Sequence, residues 1–239
     1  NPKGGAGKTT SALLLAGELA AKGARVTVID ADPERWISQW GKMPGKPSNI
    51  DIIADVTEDT IVDLIENAAA KAQFVIVDLE GTASLMVANA IGMSDLVIIP
   101  AQGASMDAKG AAKTIRLIRN QERLSRRQIP HSILLTRTSA AVTSRALRNV
   151  REQLDKAAID VFSTSIVERA AFREQLERAR EGGLARMAHH VIGQLAAVDP
   201  AIFLDQRRTG GFPRHRLGLV LGHHGVEIGK ARILAVDRT

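Results

Sequence analysis

Residues 3–10 read KGGAGKTT, and this glycine-rich stretch constrains the fold more than any other part of the chain. Its glycines at positions 4, 5 and 7 let backbone N–H groups turn inward toward an anion. The pattern from residue 8 predicts a helix over 8–22, whose N-terminus adds partial positive charge at the same point. Lys8 would then reach the terminal phosphates of a nucleotide, and Thr9 would offer its hydroxyl to Mg²⁺. The stretch therefore predicts a phosphate-binding loop.

This loop departs in two ways from the usual spelling G-x-x-x-x-G-K-[ST]. Pro2 stands where the first glycine is expected, and a second lysine, Lys3, lies five residues before Lys8. A phosphate loop also normally follows directly on a strand, whereas no strand-forming run precedes Asn1. We therefore expect that the first strand, a central one, is missing at the N-terminus.

Apolar runs alternate with helical patterns over most of the chain. Strands are predicted at 25–29, 50–53, 74–77, 96–99, 132–135 and 159–162. Helices are predicted at 8–22, 57–71, 84–93, 105–127, 142–157 and 168–181. Strands that are apolar throughout and are separated by helices are typical of a parallel sheet covered on both faces. The predicted fold class is thus α/β, with a doubly wound, mostly parallel sheet that binds ligands at the carboxyl ends of its strands.

The composition changes near residue 182. Residues 182–239 hold 9 of the 20 Gly and 5 of the 6 His, and they show no sustained period beyond a helix expected at 184–198. We interpret 1–181 as the phosphate-loop domain and 182–239 as a divergent Gly- and His-rich tail.

The phosphate loop resembles the deviant Walker A motif of the ParA/MinD family of ATPases, in which the early lysine is characteristic. The resemblance implies ATP and Mg²⁺ as cofactors, weak ATP hydrolysis, and a homodimer that sandwiches two ATP molecules. Lys3 would reach the phosphates of the partner's nucleotide, and Lys3, Lys8 and Asp32 would take part in catalysis. The implied nucleotide-binding residues of the loop are Lys3, Gly4, Gly5, Ala6, Gly7, Lys8, Thr9 and Thr10.

Two acidic segments resemble further motifs of the same family. VIDADP, which ends at Pro33, resembles switch I, so that Asp30 would lie near Mg²⁺ and Asp32 would orient the attacking water. FVIVDLEG, which ends at Gly81, resembles Walker B and switch II, and its Asp78 would hold a Mg²⁺-bound water. The expected metal ligands are Thr9, Asp30 and Asp78.

Other segments agree with this family. Thr136 and Arg137 fall where relatives have Asn-Arg beside the adenine, which makes both candidate nucleotide-binding residues. Because Thr replaces Asn here, the sequence does not decide whether residue 136 contacts the base. The segment IVERAAFR at 166–173 resembles one late in the family's fold, and the absence of an N-K-x-D motif favours ATP over GTP. Glu80 follows the Walker B strand as either a general base or a solvated loop carboxylate.

The residue types that the chain lacks narrow the choice of subgroup within the ParA/MinD family. The chain contains no Cys and no Tyr, which excludes relatives that need iron–sulfur or arsenite-binding cysteines, and kinase relatives with a tyrosine-rich tail. No run of 18 apolar residues occurs, and the last residues form a poor amphipathic membrane helix, so no membrane contact is expected. Partition-type ATPases, which bind DNA nonspecifically, remain. We therefore expect a cytoplasmic, nucleoid- or plasmid-associated protein, and the lack of Cys fits this compartment.

Positive charge is concentrated in one part of the chain. Residues 113–151 carry 10 Lys and Arg against one acid, although the whole chain has a net charge of only +6. Arginines recur there at three- and four-residue steps, which places them in stripes along predicted helices. Such stripes neutralise DNA phosphates without reading sequence. The candidate DNA contacts are Arg116, Arg119, Arg123, Arg126 or Arg127, Arg145, Arg148 and Arg151, together with Arg169 and Arg173 near the segment where relatives contact DNA.

Three functions are compatible with these observations. The first is an ATP-dependent, DNA-binding switch in plasmid or chromosome partitioning with a ParB-like partner. The second is a VirC-type ATPase that assembles a relaxosome for conjugative DNA transfer, a subgroup that DLEGTAS (residues 78–84) resembles. The third is a metabolic enzyme of the dethiobiotin synthetase type, which would leave the arginine stripes unexplained.

Overall fold

A computed structural model of the chain describes residues 6–81, 84–102, 105–138, 145–157, 159–167 and 231–235. Helices and strands alternate through this part of the chain. In chain order they are α1 (Lys8–Ala21), β1 (Val26–Ala31), α2 (Trp36–Gly41), β2 (Ile50–Ile53), α3 (Ile61–Lys71), β3 (Phe74–Leu79), α4 (Leu85–Gly92), β4 (Leu96–Gln102), α5 (Ser105–Ser125), β5 (His131–Thr138), α6 (Arg145–Lys156), β6 (Val161–Val167) and β7 (Ala231–Ala235).

The strands form one seven-stranded sheet in the order β2-β1-β3-β7-β4-β5-β6. Every neighbouring pair is parallel. The first six strands make two three-stranded halves, β2-β1-β3 and β4-β5-β6, and β7 pairs with β3 on one side and with β4 on the other. The doubly wound α/β fold expected from the sequence is confirmed.

Both faces of the sheet are covered by helices. On one face, Ile29 and Val77 pack in a cluster with buried residues of α3, α4, α5 and α6. On the other face, Val28 and Ile76 pack with α1 and with Ile37 and Trp40 of α2. Adjacent strand residues point to opposite faces, so strands buried on both sides must be apolar throughout. This requirement explains the runs in the sequence.

The observed bounds refine the predicted ones. Helix α5 ends at Ser125, two residues before the predicted end, because Arg126 adopts a left-handed conformation (φ 51°) that stops the helix. The short helix α2 and the strand β7 were not predicted. The predicted helices at 168–181 and 184–198 lie outside the described residues, and the domain boundary at residue 182 stays a prediction.

The expectation of a strand before the phosphate loop stays a prediction, and residues 1–5 lie outside the described part of the chain. The central position of the sheet holds β7, which comes from the region interpreted as a tail. Within the described residues, no helix combines the length and the apolar character that a membrane span requires.

Candidate functional site

The described end of the phosphate loop lies where α1 begins, at the carboxyl edge of the sheet. Gly7 precedes α1 in a left-handed conformation (φ 93°), which glycine adopts without steric penalty. Ala6 before it is buried, and Ser11 returns a backbone and a side-chain hydrogen bond to the Gly7 carbonyl. The turn therefore directs the unpaired N–H groups of the first helical turn toward one point, as an anion site requires.

Thr136 of β5 anchors this loop from below. Its hydroxyl donates to the Ala6 carbonyl over 2.7 Å, and the side chain is buried. A Cβ placed on Gly7 would lie 3.5 Å from the Thr136 methyl carbon, so the loop rests directly on this residue. The Thr136 hydroxyl thus supports the loop by binding a backbone carbonyl of that loop. The resemblance, in contrast, implies that Thr136 contacts the adenine.

Two carboxylates stand side by side at the same edge. Asp30 on β1 and Asp78 on β3 are register partners, and both are buried. They alternate with Ile29 and Val77 and so face α1. From the first turn of α1, Thr9 Oγ1 donates to Asp78 Oδ2 over 2.8 Å. The structure therefore brings together the three residues that the sequence proposed as metal ligands.

Asp78 has an unusual protonation equilibrium. Its pKa is raised from 3.8 to about 7, chiefly because burial removes water from the charged form, and the negative charges of Asp32 and Asp30 contribute to this rise. The hydrogen bond from Thr9 and the positive charge of Lys8 act in the opposite direction but are outweighed. A carboxylate held at this cost is stabilised by a bound cation, which supplies the missing positive charge.

Asp30 is held by the start of α2. Its Oδ2 accepts hydrogen bonds from the Ser38 backbone N–H, at 2.7 Å, and from the Ser38 hydroxyl. Among the described residues, neither Asp30 Oδ1 nor Asp78 Oδ1 has a hydrogen-bond partner, although both atoms are buried. Buried acceptors are normally satisfied. Two carboxylate oxygens beside a threonine hydroxyl fit the hard oxygen ligands that Mg²⁺ prefers.

Asp32 lies in a tight turn after β1. Its Oδ1 accepts from the Glu34 backbone N–H over 2.9 Å, which fixes the half-buried carboxylate beside Asp30 and Asp78. Arg35, three residues on, has a left-handed conformation (φ 50°) and forms an exposed salt bridge with Asp55 at 3.5 Å. The turn after β1 thus places the charge of Asp32 close enough to Asp78 to raise the pKa of that carboxyl.

A bulge in β5 exposes Arg137 at the same edge. The register with β6 shifts between Leu135 and Thr138, and Arg137 adopts a left-handed conformation (φ 51°). Such bulges turn a side chain out of the ladder and are common beside functional sites. Arg137 is exposed, while its neighbour Thr136 is buried under the loop.

A second charged surface lies at the C-terminal end of α5. An open depression of about 610 Å³ there is lined by Arg116, Arg119, Asn120, Glu122, Arg123, Arg126, Arg127 and Gln128. We call its five arginines the arginine patch. The two salt bridges found among the described residues, Lys22–Glu18 and Arg35–Asp55, do not involve it. The patch is therefore a concentration of positive charge without ion pairing in the described part of the chain.

Three charged residues of this depression have hydrogen-bond partners within the protein. Arg127 donates to the carbonyls of Gly92 and Ser94, each over 2.8 Å, and so satisfies the end of α4. Glu122 accepts from the Ile129 N–H over 2.9 Å, just before β5 begins. Arg123 contacts Asn120 within its own helix. The exposed arginines Arg116, Arg119 and Arg126 are left facing solvent.

The arginine patch and the phosphate loop occupy opposite edges of the sheet. Helix α5 starts beyond the carboxyl end of β4 and leads to the amino end of β5. Its 21 residues span about 30 Å, at about 1.5 Å a residue. Arg148, in contrast, lies near the start of α6, beyond the carboxyl end of β5. The two predicted arginine stripes therefore do not form one continuous surface.

Comparison with known proteins places the chain in a family. The family model described as VirC1 protein matches residues 1–204. The chain belongs to the VirC1 family. It is 39% identical to Protein ParA of Rhizobium radiobacter over 170 residues, which cover 71% of this chain and 77% of that protein. It is 29% identical to Protein virC1 of the same organism over 181 residues, which cover 74% of this chain and 78% of that protein.

A solved structure shows the same fold. A plasmid partition protein from Borrelia burgdorferi, bound to AMPPNP, superimposes with a TM-score of 0.55 at 20% sequence identity. The match covers 82% of this chain and 95% of that one. This VirC1-family chain is thus a P-loop ATPase of the ParA/MinD type, as the phosphate loop predicts.

Several predicted site residues of this VirC1-family chain lie outside the described part. They are Lys3, Gly4 and Gly5 of the loop, and Arg169 and Arg173. Arg145 begins α6, and Arg151 in the same helix is half-buried. The prediction did not include Ser38 or β7. A serine eight residues after Asp30 carries no pattern of its own, so only the fold reveals that it holds this carboxylate.

Proposed function

We propose that this VirC1-family ATPase is a switch that binds and slowly hydrolyses ATP with Mg²⁺. The observation that carries the proposal is the pair of buried, unpartnered carboxylate oxygens of Asp30 and Asp78 beside the Thr9 hydroxyl, at the mouth of the phosphate loop. Phosphate groups would lie on the helix α1 N-terminus next to Lys8, and the cation would lie between them and the carboxylates. No other pair of buried, unpartnered carboxylate oxygens occurs among the described residues.

Each residue of the site would have one role in hydrolysis. A bound Mg²⁺ supplies positive charge to the phosphates when present. Lys8 would stabilise charge on the terminal phosphate, and Asp32, fixed by its turn, would orient the attacking water. Glu80 is half-buried directly after β3. Because we assign none of these residues as a strong general base, we expect turnover to be slow.

Lys3 would control the formation of an ATP-dependent homodimer. We propose that two subunits close over two ATP molecules and that Lys3 reaches the partner's phosphates, as the resemblance implies. Lys8→Ala should abolish binding of a non-hydrolysable ATP analogue. Lys3→Ala should leave monomer binding intact and prevent dimers, measured by sedimentation with the analogue and Mg²⁺. If Lys3→Ala dimerises normally, this role of Lys3 is wrong.

We propose that the arginine patch binds double-stranded DNA without sequence preference. Exposed arginines lacking ion pairs release counterions when they meet phosphates, which gives affinity that falls with salt. Arg116→Ala combined with Arg119→Ala should lower DNA affinity and reduce the slope of log K against log salt by about 2. The control is Lys42→Ala with Lys71→Ala, which removes the same charge from exposed positions elsewhere. Equal effects of the two double variants would remove the patch from DNA binding.

Two biological tasks would use such a switch. The similarity to Protein ParA favours plasmid or chromosome partitioning with a ParB-like partner that stimulates hydrolysis. The VirC1 family match favours assembly of a relaxosome for conjugative transfer, with an adaptor of that complex as the partner. Deletion of the gene should raise plasmid loss in the first case and lower transfer frequency in the second. Both tasks place the protein in the cytoplasm, associated with plasmid or nucleoid DNA.

The metabolic alternative predicts a different stimulus. An enzyme of the dethiobiotin synthetase type would release phosphate with a small carboxylic acid substrate. The proposed switch would release more phosphate with DNA and its partner present, and none of the increase would depend on small carboxylic acids.

A further inference from the structure

The bulge at the end of β5 carries backbone strain beside the phosphate loop. From Leu135↔Ser165 to Thr138↔Val167, β5 advances by three residues while β6 advances by two, so β5 holds one extra residue. Arg137 lies in this bulge with a left-handed backbone (φ 51°). This conformation costs free energy for a residue that has a Cβ, whereas glycine adopts it freely. Strain of this kind persists chiefly at functional sites.

Two hydroxyl groups hold the strand directly after Arg137. The Thr138 hydroxyl donates to the Ile166 carbonyl over 3.3 Å and lies 3.0 Å from the Ser165 hydroxyl. Because a hydroxyl has one proton, Ser165 donates to Thr138 while Thr138 donates to Ile166. Thr138 is buried, and both of its partners belong to β6. We call Thr138 and Ser165 the hydroxyl clamp, since they join β5 to β6 where the regular ladder is interrupted.

The side chain of Arg137 is exposed at the carboxyl edge of the sheet. Thr136, one residue before it, supports the phosphate loop through the bond to the Ala6 carbonyl at 2.7 Å. Neither of the two salt bridges in the described part of the chain involves Arg137. A strained backbone thus presents a guanidinium next to the loop, where a ligand on the loop can meet it.

The carboxylates determine which end of a bound nucleotide would lie near Arg137. Asp30 and Asp78 stand on β1 and β3, so the cation and the terminal phosphates would lie on that side of the loop. Thr136 supports the loop from β5, in the other half of the sheet. Phosphates that follow the loop away from the carboxylates bring the nucleoside over the end of β5, where Arg137 lies.

We infer that the hydroxyl clamp is a positioning device for nucleotide recognition: it holds the bulge that turns Arg137 toward the nucleoside of bound ATP. This inference rests on the proposed ATP binding. The planar guanidinium stacks on the face of the base, a contact that a triphosphate without a nucleoside does not offer. Thr138 and Ser165 touch no nucleotide and act only through Arg137.

Binding of two ligands separates this positioning role from a general loss of structure. Thr138→Val removes the hydroxyl and keeps a β-branched side chain, whereas Thr138→Ser keeps the hydroxyl and is the matched control. By calorimetry with Mg²⁺, the valine variant should bind a non-hydrolysable ATP analogue about two- to ten-fold more weakly, which corresponds to the loss of one hydrogen bond. Its binding of inorganic tripolyphosphate should be unchanged. The serine variant should bind both ligands like the wild type.

Substitution of Arg137 tests the strain and the coupling. Arg137→Gly should unfold at a higher urea concentration than the wild type, because glycine adopts the left-handed backbone without strain, yet it should bind the ATP analogue more weakly. Arg137→Ala keeps the Cβ and should lose affinity without this gain in stability. In the Arg137→Gly background, Thr138→Val should cause no further loss of ATP affinity. The two Arg137 variants keep the test valid if Thr138→Val does not fold.

Failure of the inference differs from failure of the proposed function. Equal weakening of both ligands by Thr138→Val, or the same loss of ATP affinity in the Arg137→Gly background, would show that the clamp does not act through Arg137. Unchanged ATP affinity in Arg137→Gly would also overturn the inference while leaving ATP binding intact. If the wild type does not bind the analogue at all, the proposed function is wrong and the inference fails with it.

Discussion

Asp78 should make the nucleotide-free protein less stable as the pH rises. The pKa of this buried carboxyl is raised from 3.8 to about 7, chiefly by desolvation. Between these values the unfolded chain has released the proton and the folded chain has kept it. The free energy of unfolding therefore falls by about 1.4 kcal/mol for each pH unit in this window and levels off above it. From pH 5 to pH 8 the contribution of Asp78 changes by about 3 kcal/mol.

The variant Asp78→Asn isolates this contribution. It has no proton to lose, so its stability relative to the wild type should rise by about 3 kcal/mol between pH 5 and pH 8. Any constant effect of the amide, including its bond with Thr9, cancels in this difference. The measurement is urea unfolding at both pH values, with EDTA and without nucleotide. Asp51→Asn, at an exposed position on β2, controls for the change of residue type and should follow the wild type.

Mg²⁺ should reverse the pH trend. A bound cation requires the ionised carboxylate, so adding Mg²⁺ and an ATP analogue should stabilise the wild type more at pH 8 than at pH 5 and should not stabilise Asp78→Asn. If the stability difference between wild type and Asp78→Asn is the same at pH 5 and pH 8, the burial of an ionisable group at this position has been misjudged.

Three further substitutions separate the parts of the site. Ser38→Ala removes the hydroxyl donor from a buried carboxylate, so we expect a loss of about 1–3 kcal/mol in the free energy of unfolding and a higher Mg²⁺ requirement for nucleotide binding; unchanged Mg²⁺ titrations would contradict this. Thr136→Val leaves the loop carbonyl without its donor, and calorimetry should show weaker binding of the ATP analogue with a stability loss of only about 1–2 kcal/mol. Arg127→Ala should lower the thermal midpoint, because the end of α4 loses two hydrogen bonds, and should leave DNA affinity unchanged; a gel shift as weak as that of the Arg116→Ala, Arg119→Ala variant would refute this division of roles.

The sequence was sufficient to predict the positions of six strands and a mostly parallel sheet, but not the order of the strands in that sheet. Apolar runs located β1 to β6, and their alternation with helices implied parallel pairing. The same periodicity located α5 and α6, although it missed the end of α5, where Arg126 stops the helix through its backbone conformation. Strand β7 was missed because its five residues follow a long Gly- and His-rich region without a period. A strand of that length is recognisable only from its two neighbours in the sheet.

The residues of the candidate site were also predicted only in part. Lys8, Thr9, Asp30 and Asp78 belong to motifs whose chemistry fixes their spacing, so the sequence predicted that they meet. The supporting role of Thr136 depends on a contact with Ala6, 130 positions away in the chain, and Ser38 meets Asp30 only because the turn after β1 places the start of α2 beside this carboxylate. Such contacts leave no periodic signal. The opposite locations of Arg119 and Arg148 likewise follow from the direction of α5 and α6 and not from their arginine spacing.

The contact between Thr136 and Ala6 also dictates an order of assembly. The two residues are 130 positions apart in the chain, and contacts of this kind form late in folding. The carbonyl of Ala6 therefore has no hydroxyl donor until β5 has been synthesised and has joined the sheet. A newly made molecule completes this support of the phosphate loop only after that strand has docked.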